Sequence, residues 1–174
     1  MNGKTHKIGG VCAGIITTSM ILEPTYSFEK LLIGGFLIGG SILGSLMPDI
    51  DLPSSTVGKR VKPISYLIHQ FFGHRGITHT PILHILCSIF LLMLGQGLTG
   101  IIRLIYLSFV IGLFAGGVSH IILDAMTVKG VPLLYPFTKK KYRIANFVTG
   151  QDEMLVQIIT IGITVLTIGV SFLF

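Results

Sequence analysis

The hydrophobic pattern is a series of long apolar runs, broken by glycine, proline and short polar clusters. Ile8 to Leu22 is apolar or small throughout, and it follows a basic start, Lys4 to Lys7, that contains His6. A basic start before a short apolar core is also how a signal peptide begins. No clear small-x-small cleavage site follows, and Glu23-Pro24 reads as a helix exit, so residues 6–22 are expected to form a first, retained helix. Leu31 to Met47 is the second, ended by Pro48. Its Gly35 and Gly39, and its Gly40 and Gly44, have the small-x-x-x-small spacing that lets membrane helices approach closely. After a polar stretch from Pro53 to Lys62, Ile64 to Phe72 reads as a short interfacial helix with an aromatic tilt. Thr80-Pro81 has the form of an N-cap followed by proline at the first helical position, which starts a third long helix running to Leu94. A fourth runs from near Ile101 to Asp124. Thr127 to Val148 is a long basic loop, and Asp152-Glu153 opens a fifth helix from Met154 to Phe174, long enough to cross a bilayer of about 30 Å.

Composition turns these runs into spans. The chain has 174 residues, 51% hydrophobic and only 11% charged, and its mean hydropathy is +0.82. A soluble domain carries about 25% charged residues. The expected fold class is therefore all-α: one integral membrane bundle, residues 1–174, of about five transmembrane helices. The net charge of +6 in such a protein marks cytoplasmic loops rather than a nucleic-acid partner, and none is expected. Cys12 and Cys87 both fall in apolar runs and read as packing residues rather than a disulfide or a zinc pair.

Five spans impose a topology. The first leaves the side that holds the N-terminus, and the second returns with Asp49 and Asp51. The third leaves after His74 and His79, the fourth returns with His120 and Asp124, and the fifth leaves from Asp152 and Glu153. All these groups then share one side. So do all of the 13 lysines and arginines except Lys30 and Arg103, which by the positive-inside rule makes that side cytoplasmic and puts the C-terminus outside.

The shared side carries the candidate chemistry. His120 and Asp124, four residues apart on one helix face, can hold one metal ion or simply hydrogen-bond. Metal is favoured, because intramembrane ionisable groups are costly and a carboxylate at a helix C-terminus opposes the macrodipole and needs a cation. Gly112, Gly116, His120 and Asp124 form one stripe and His6, Gly10, Gly14 and Thr18 another, each with small residues for close packing and a ligand at the polar end. Asp49 and Asp51, if extended, point the same way and offer two carboxylates to one or two cations; turn capping is the bland alternative. His74 and His79 lie in a turn loosened by Gly73 and Gly76. His84 reads as hydrogen-bonding a neighbour, and His69 as facing an interface. Arg75 suits a phosphate or a lipid headgroup. Glu153 suits a ligand, a general acid or base, or a favourable charge at a helix N-terminus, with Asp152 as the cap. The run Lys139-Lys140-Lys141 reads as a cytoplasmic anchor.

Mixed histidine and carboxylate donors suit zinc, manganese or iron better than calcium or magnesium. Their number exceeds what one tetrahedral ion needs, so two divalent ions are expected. Such a pair activates water and clamps phosphoester oxygens. The chain has no HExxH, GxSxG or P-loop motif, so serine-hydrolase and ATPase readings have no support.

Thr5-His6, Met47-Pro48-Asp49-Ile50-Asp51-x-Pro53, His74-Arg75-Gly76-x-Thr78-His79, Ser119-His120-x-x-x-Asp124 and Leu134-Tyr135-Pro136-Phe137 together resemble the YdjM-like family of membrane-bound metal-dependent hydrolases. That family looks similar to zinc-dependent phospholipases C and related single-strand nucleases. The resemblance implies hydrolysis of a phosphoester. It also implies metal binding by His6, Asp49 or Asp51, His79, His120 and Asp124, and further by Glu153. The soluble relatives use additional histidines after the His-x-x-x-Asp piece, and this chain has none after His120.

The expectation is a membrane-embedded, cytoplasm-facing hydrolase of a lipid or lipid-linked phosphoester. A metal or small-ion transporter is one alternative, but its ligands belong near the membrane midplane on broken helices in related repeats, and no such repeat is visible. A non-catalytic scaffold around a structural ion is the other.

Overall fold

The computed structural model describes residues 1–23 and 27–171. The helix exit expected at Pro24, and the continuation of the last helix over 172–174, lie outside the described residues. Among those residues the fold is all-helical: α1 (Gly3–Ile21), α2 (Phe28–Gly44), α3 (Lys62–Phe72), α4 (Pro81–Leu94), α5 (Gly100–Ala125) and α6 (Glu153–Ser171), with 3-10 turns at Met47–Asp51 and Ile77–His79.

Local chemistry starts these helices where the pattern suggests. The Asn2 side chain accepts the Thr5 N–H at the head of α1, and Ser27 accepts the Lys30 N–H at the head of α2. Thr80 precedes Pro81, but its hydroxyl donates to the Ile77 carbonyl, 2.7 Å away, rather than receiving an N–H of α4. The interfacial run forms α3, in which Ile64, Tyr66, Leu67, Phe71 and Phe72 are exposed.

α2 is the axis of the bundle, with α1 and α5 packed along it and against each other; α6 leans on α1, and α4 leans on α5. Glycines make the α2–α5 contact backbone to backbone. A Cβ on Gly116 would lie 1.9 Å from the Ser41 carbonyl oxygen, and one on Gly44 2.1 Å from that of Leu113. Both glycine stripes lie on α2: Gly112 and Gly116 from α5, and Gly10 and Gly14 from α1, where Ser41 also donates to the Gly10 carbonyl. Of the two α2 pairs, Gly40 and Gly44 make the contact, whereas Gly35 and Gly39 face open space.

Among the described residues, three helices are long and apolar enough to cross a membrane: 28–51, 100–125 and 153–170. α1 has the length, but its first turns carry Lys4, His6 and Lys7. α4 has 14 residues, about 21 Å of helix, which is short for a ~30 Å hydrocarbon core. The outward faces of α4 and α6, with Leu86, Phe90, Ile158 and Leu166, are exposed and apolar, as lipid contact requires.

The basic segment after α5 folds back on the helix that precedes it. Val131 and Tyr142 exchange both backbone hydrogen bonds, and Ile144 and Phe147 donate to the carbonyls of Ala125 and Met126. The C-terminal end of α5 is thereby fixed beside α1 and α6.

Candidate metal centre

The turn that ends α2 separates its two aspartates. Pro48 opens a 3-10 turn rather than an extended segment. At about three residues per turn, positions i and i+2 diverge instead of aligning. The expected extended segment is thereby corrected, although a carboxylate oxygen of each aspartate still lies within 4.8 Å of the other. Asp51 turns inward and is fully buried. Its Oδ1 lies 2.9 Å from His74 Nδ1, while its Oδ2 accepts from the Arg75 N–H at 2.9 Å and the Thr78 hydroxyl at 2.6 Å, and lies 3.2 Å from His79 Nδ1. Its backbone carbonyl is 2.8 Å from His69 Nδ1. Asp51 therefore organises the histidine loop, and Asp49 faces the neighbouring helix ends.

That loop is tightly bent. Gly73 has φ of 70° and Arg75, a residue with a Cβ, has φ of 60°, in the left-handed region that side chains disfavour. The Asp51 bond to the Arg75 N–H holds it there. His84 Nε2 lies 3.1 Å from the Thr78 carbonyl and steadies the second 3-10 turn from α4. With Nδ1 of His79 held by Asp51, its Nε2 is directed at Asp124 Oδ2 (3.4 Å), His120 Nε2 (3.2 Å) and Asp49 Oδ1 (3.8 Å). A carboxylate behind a histidine fixes the ring and its tautomer in just this way at metal sites. His74 sits at the rim, its side chain 30% exposed.

The stripes on α1 and α5 bring the remaining donors. His120 Nδ1 lies 2.7 Å from the Ser45 carbonyl, which requires a proton on Nδ1 and leaves the Nε2 lone pair free. Asp49 Oδ1 and Asp124 Oδ2 stand 3.8 and 3.7 Å from that nitrogen. The His6 ring stacks on His120 with centroids 3.6 Å apart and planes 9° apart. His6 is fully buried, and neither ring nitrogen has a hydrogen-bond partner, although Nε2 is 3.3 Å from Asp124 Oδ1. Arg75 reaches the same Oδ1 at 2.8 Å, and the Met1 amino group also donates to it.

These residues could hold a metal ion. Three overlapping groups, Asp49/Asp51/His74/His79, His6/Asp49/His120 and His79/His120/Asp124, each offer ligand atoms within 4.8 Å of one another. Buried polar groups are nearly always paired, so a buried His6 without a hydrogen bond, near two carboxylates, has donors that a cation would satisfy. Burial pushes the His79 imidazole down, but its hydrogen bonds to Asp124 and Asp51 outweigh this and hold it above its ordinary value. Over the cluster opens a cavity of about 230 Å³, walled by Asp49, His74, Arg75 and Asp124 on one side and the Ser54–Val57 loop on the other.

Arg75 and Glu153 lie differently from the metal candidates. The Arg75 guanidinium is buried against Asp124, the Thr127 hydroxyl (2.8 Å) and the Gly130 carbonyl (3.2 Å), with an edge on the cavity. Glu153 accepts from the Asn2 N–H (2.9 Å), the Thr5 hydroxyl and the Gly150 N–H (3.3 Å), and so grips the first turn of α1 beside His6. It belongs to none of the three ligand groups. Asp152 accepts the Val148 N–H at 2.7 Å. Two positioning groups escaped the sequence reading. Thr78 was visible inside the His74–His79 motif. The Ser45 carbonyl is a backbone atom, and no side-chain pattern marks it.

The family description "YdjM inner membrane protein" matches residues 1–173. Inner membrane protein YdjM of Escherichia coli strain K12 is 34% identical over 166 residues, covering 95% of this chain and 80% of that protein. Uncharacterized protein YvsG of Bacillus subtilis strain 168 is 33% identical over 138 residues, covering 79% of this chain and 75% of its own. No solved structure matches the chain. Sequence similarity along its whole length, three apolar spans and a buried histidine–aspartate cluster converge on one assignment: the chain is a membrane protein of the YdjM family.

Proposed function

We propose that this protein is a membrane-bound, metal-dependent hydrolase that cleaves a phosphoester of a lipid or lipid-linked substrate. The observation that carries the reading is the buried His6 ring, stacked on His120 and without a hydrogen-bond partner, facing a ring of carboxylates and imidazoles. Such an arrangement is costly unless a cation completes it. Two bound divalent ions, zinc or else manganese or iron, would acidify a water and offset charge on the phosphoester oxygens.

His6, Asp49, His79, His120 and Asp124 would hold the ions, with His74 joining from the rim. Asp49, His79 and His120 each belong to two of the ligand groups. Asp51 acts from behind by orienting His74 and His79. Arg75 holds Asp124 by one oxygen and presents positive charge to the cavity through which an anionic ester would enter. Glu153 serves by fixing Thr5, and with it the placement of His6. An open cavity above the cluster favours access by a substrate over a closed structural ion.

In the full reading α1 and α4 also cross, giving five spans with the centre at the cytoplasmic ends, in keeping with the lysine and arginine distribution. A centre at the surface of the bilayer favours a lipid headgroup as the reacting part.

The test is elemental analysis of the purified protein together with a screen of soluble and lipid phosphodiesters. Stoichiometric transition metal, lost with His120→Ala together with hydrolysis, is expected. Full hydrolysis by metal-free protein would overturn the mechanism.

A further inference from the structure

The cavity over the metal centre has two unlike walls. One carries the metal candidates Asp49 and Asp124 with His74 and Arg75, and the other is the Ser54–Val57 loop with the head of α1. The loop is braced. The Ser55 hydroxyl donates to the Asp49 carbonyl at 2.7 Å and accepts the Gly58 N–H at 2.9 Å. A Cβ on Gly58 would lie 2.1 Å from the Leu52 carbonyl oxygen, so the loop closes tightly at its base. The hydroxyls on either side of Ser55 are uncommitted. Ser54 and Thr56 are exposed, line the cavity and make no hydrogen bond among the described residues. A Cβ on Gly3 would lie 3.5 Å from the Thr56 hydroxyl, which sets that oxygen beside α1. There Asn2 commits its side-chain oxygen to the Thr5 N–H, and its amide NH2 is left to donate.

Charge and size narrow what this wall can meet. Among the described residues that line the cavity, the carboxylates are Asp49 and Asp124, and there is no lysine, glutamate, phenylalanine, tyrosine or tryptophan. A quaternary ammonium is held by an aromatic cage, and a primary ammonium by a carboxylate of its own. The volume is about 230 Å³, below the roughly 300–1,000 Å³ of a site for a drug-sized ligand. It suits a headgroup the size of glycerol rather than a chain of sugars.

We propose that the Ser54–Thr56 wall selects a phosphoester bearing a small, uncharged polyol, of the phosphoglycerol type, over the zwitterionic choline and ethanolamine esters. The proposal rests on the hydrolase reading and deepens it by naming the substrate class. The phosphate faces Arg75 and the cations, and the polyol faces the Ser54 and Thr56 hydroxyls and the Asn2 amide. A hydroxyl both donates and accepts, so polyol and wall pair without charge. An ammonium head would stand near Arg75 and the cations with both carboxylates already engaged, and like charges that close repel. A site built to hydrogen-bond hydroxyls also discriminates against a head that lacks them.

The experiment uses the zinc-loaded full chain in detergent, with glycerol phosphate, phosphoethanolamine and phosphocholine as probes. Kd is read by titration calorimetry, and zinc is measured on the same samples. Glycerol phosphate is expected to bind roughly tenfold tighter than either zwitterion, the effect of two hydrogen bonds. Ser54→Ala combined with Thr56→Val removes both hydroxyls from residues outside the ligand groups. It should weaken glycerol phosphate by about the same tenfold and leave the zwitterions and the zinc content unchanged. Thr56→Ser should keep the preference, and Thr56→Asp should turn it toward phosphoethanolamine. The source of the head is read by mass spectrometry of lipid retained from nanodiscs of equal phosphatidylglycerol and phosphatidylethanolamine. Enriched phosphatidylglycerol assigns the head to a lipid, and no enrichment with the soluble preference intact assigns it to a free ester. Equal binding of the three probes, binding of none, or a glycerol phosphate Kd unmoved by the double variant overturns the polyol assignment. Bound zinc and His120-dependent hydrolysis would then leave the hydrolase reading standing. Absence of metal from the purified protein overturns that reading and this assignment together, and it is seen in the elemental analysis rather than in the titrations.

Discussion

His6 is the residue on which the proposed chemistry turns. Its ring is buried with neither nitrogen hydrogen-bonded, and its Nε2 lies 3.3 Å from Asp124 Oδ1, an oxygen that Arg75 also holds at 2.8 Å. His6→Phe keeps the stack on His120 and removes the unmet polar groups. The metal-free variant is expected to melt at the same temperature as the parent or higher, while the gain in melting temperature on adding zinc shrinks, since that gain follows ligand affinity. Thermal melts with and without metal check both halves. Titration is a second consequence at this scale. His79 is held above its ordinary value in the metal-free state, so protons compete with metal starting at a higher pH than for a free histidine, near 6.5. Apparent zinc affinity should rise as pH increases through that range and fall on acidification, with protons released on binding. A zinc titration against a competing dye at several pH values measures it.

At the scale of elements, the glycine contacts between α2 and α5 decide whether Asp49, His120 and Asp124 meet at all. Gly116→Ala places a methyl group where the Ser41 carbonyl now sits, 1.9 Å from its Cβ. The helices must separate, at a cost of about 1–3 kcal/mol, and zinc affinity should fall although no ligand is altered. Gly39→Ala, on the open face of the same helix, should leave both unchanged. Denaturation in detergent and a zinc titration of the two variants distinguish them. Both pairs in α2 have the same spacing, and the sequence does not tell which one faces α5. That choice belongs to the rotation of α2 against its neighbours.

For the whole molecule, the prediction concerns topology. Five crossings put the two ends of the chain on opposite sides of the membrane, with His74 and the Lys139–Lys141 loop on the cytoplasmic side. Reporter fusions at each end, and cysteine labelling in the 139–141 loop from either side of sealed vesicles, should give that pattern. Both ends on one side would mean that α1 or α4 does not cross. α4 is the helix to watch, because its 14 residues require local thinning of the bilayer or an interfacial seat.

The chain alone determined a great deal. Apolar runs of spanning length, prolines that stop them and the spacing of His120 from Asp124 are local properties, and the helices start and end close to where those signals lie. The histidine and aspartate residues near the metal centre were legible too, because ionisable groups at the ends of apolar runs need a reason to be there. Three things required tertiary structure. Asp51 was separable from Asp49 only once Pro48 had started a 3-10 turn. Glu153 and Arg75 acquired partners, at Thr5 and at Thr127, that are far away in sequence. His6 became a candidate ligand of weight because α1 packs on α2 and stacks its ring on a helix more than a hundred residues downstream. Periodicity fixes which residues share a face, but which faces meet is set by packing between helices, and the pairing of buried charge follows from that.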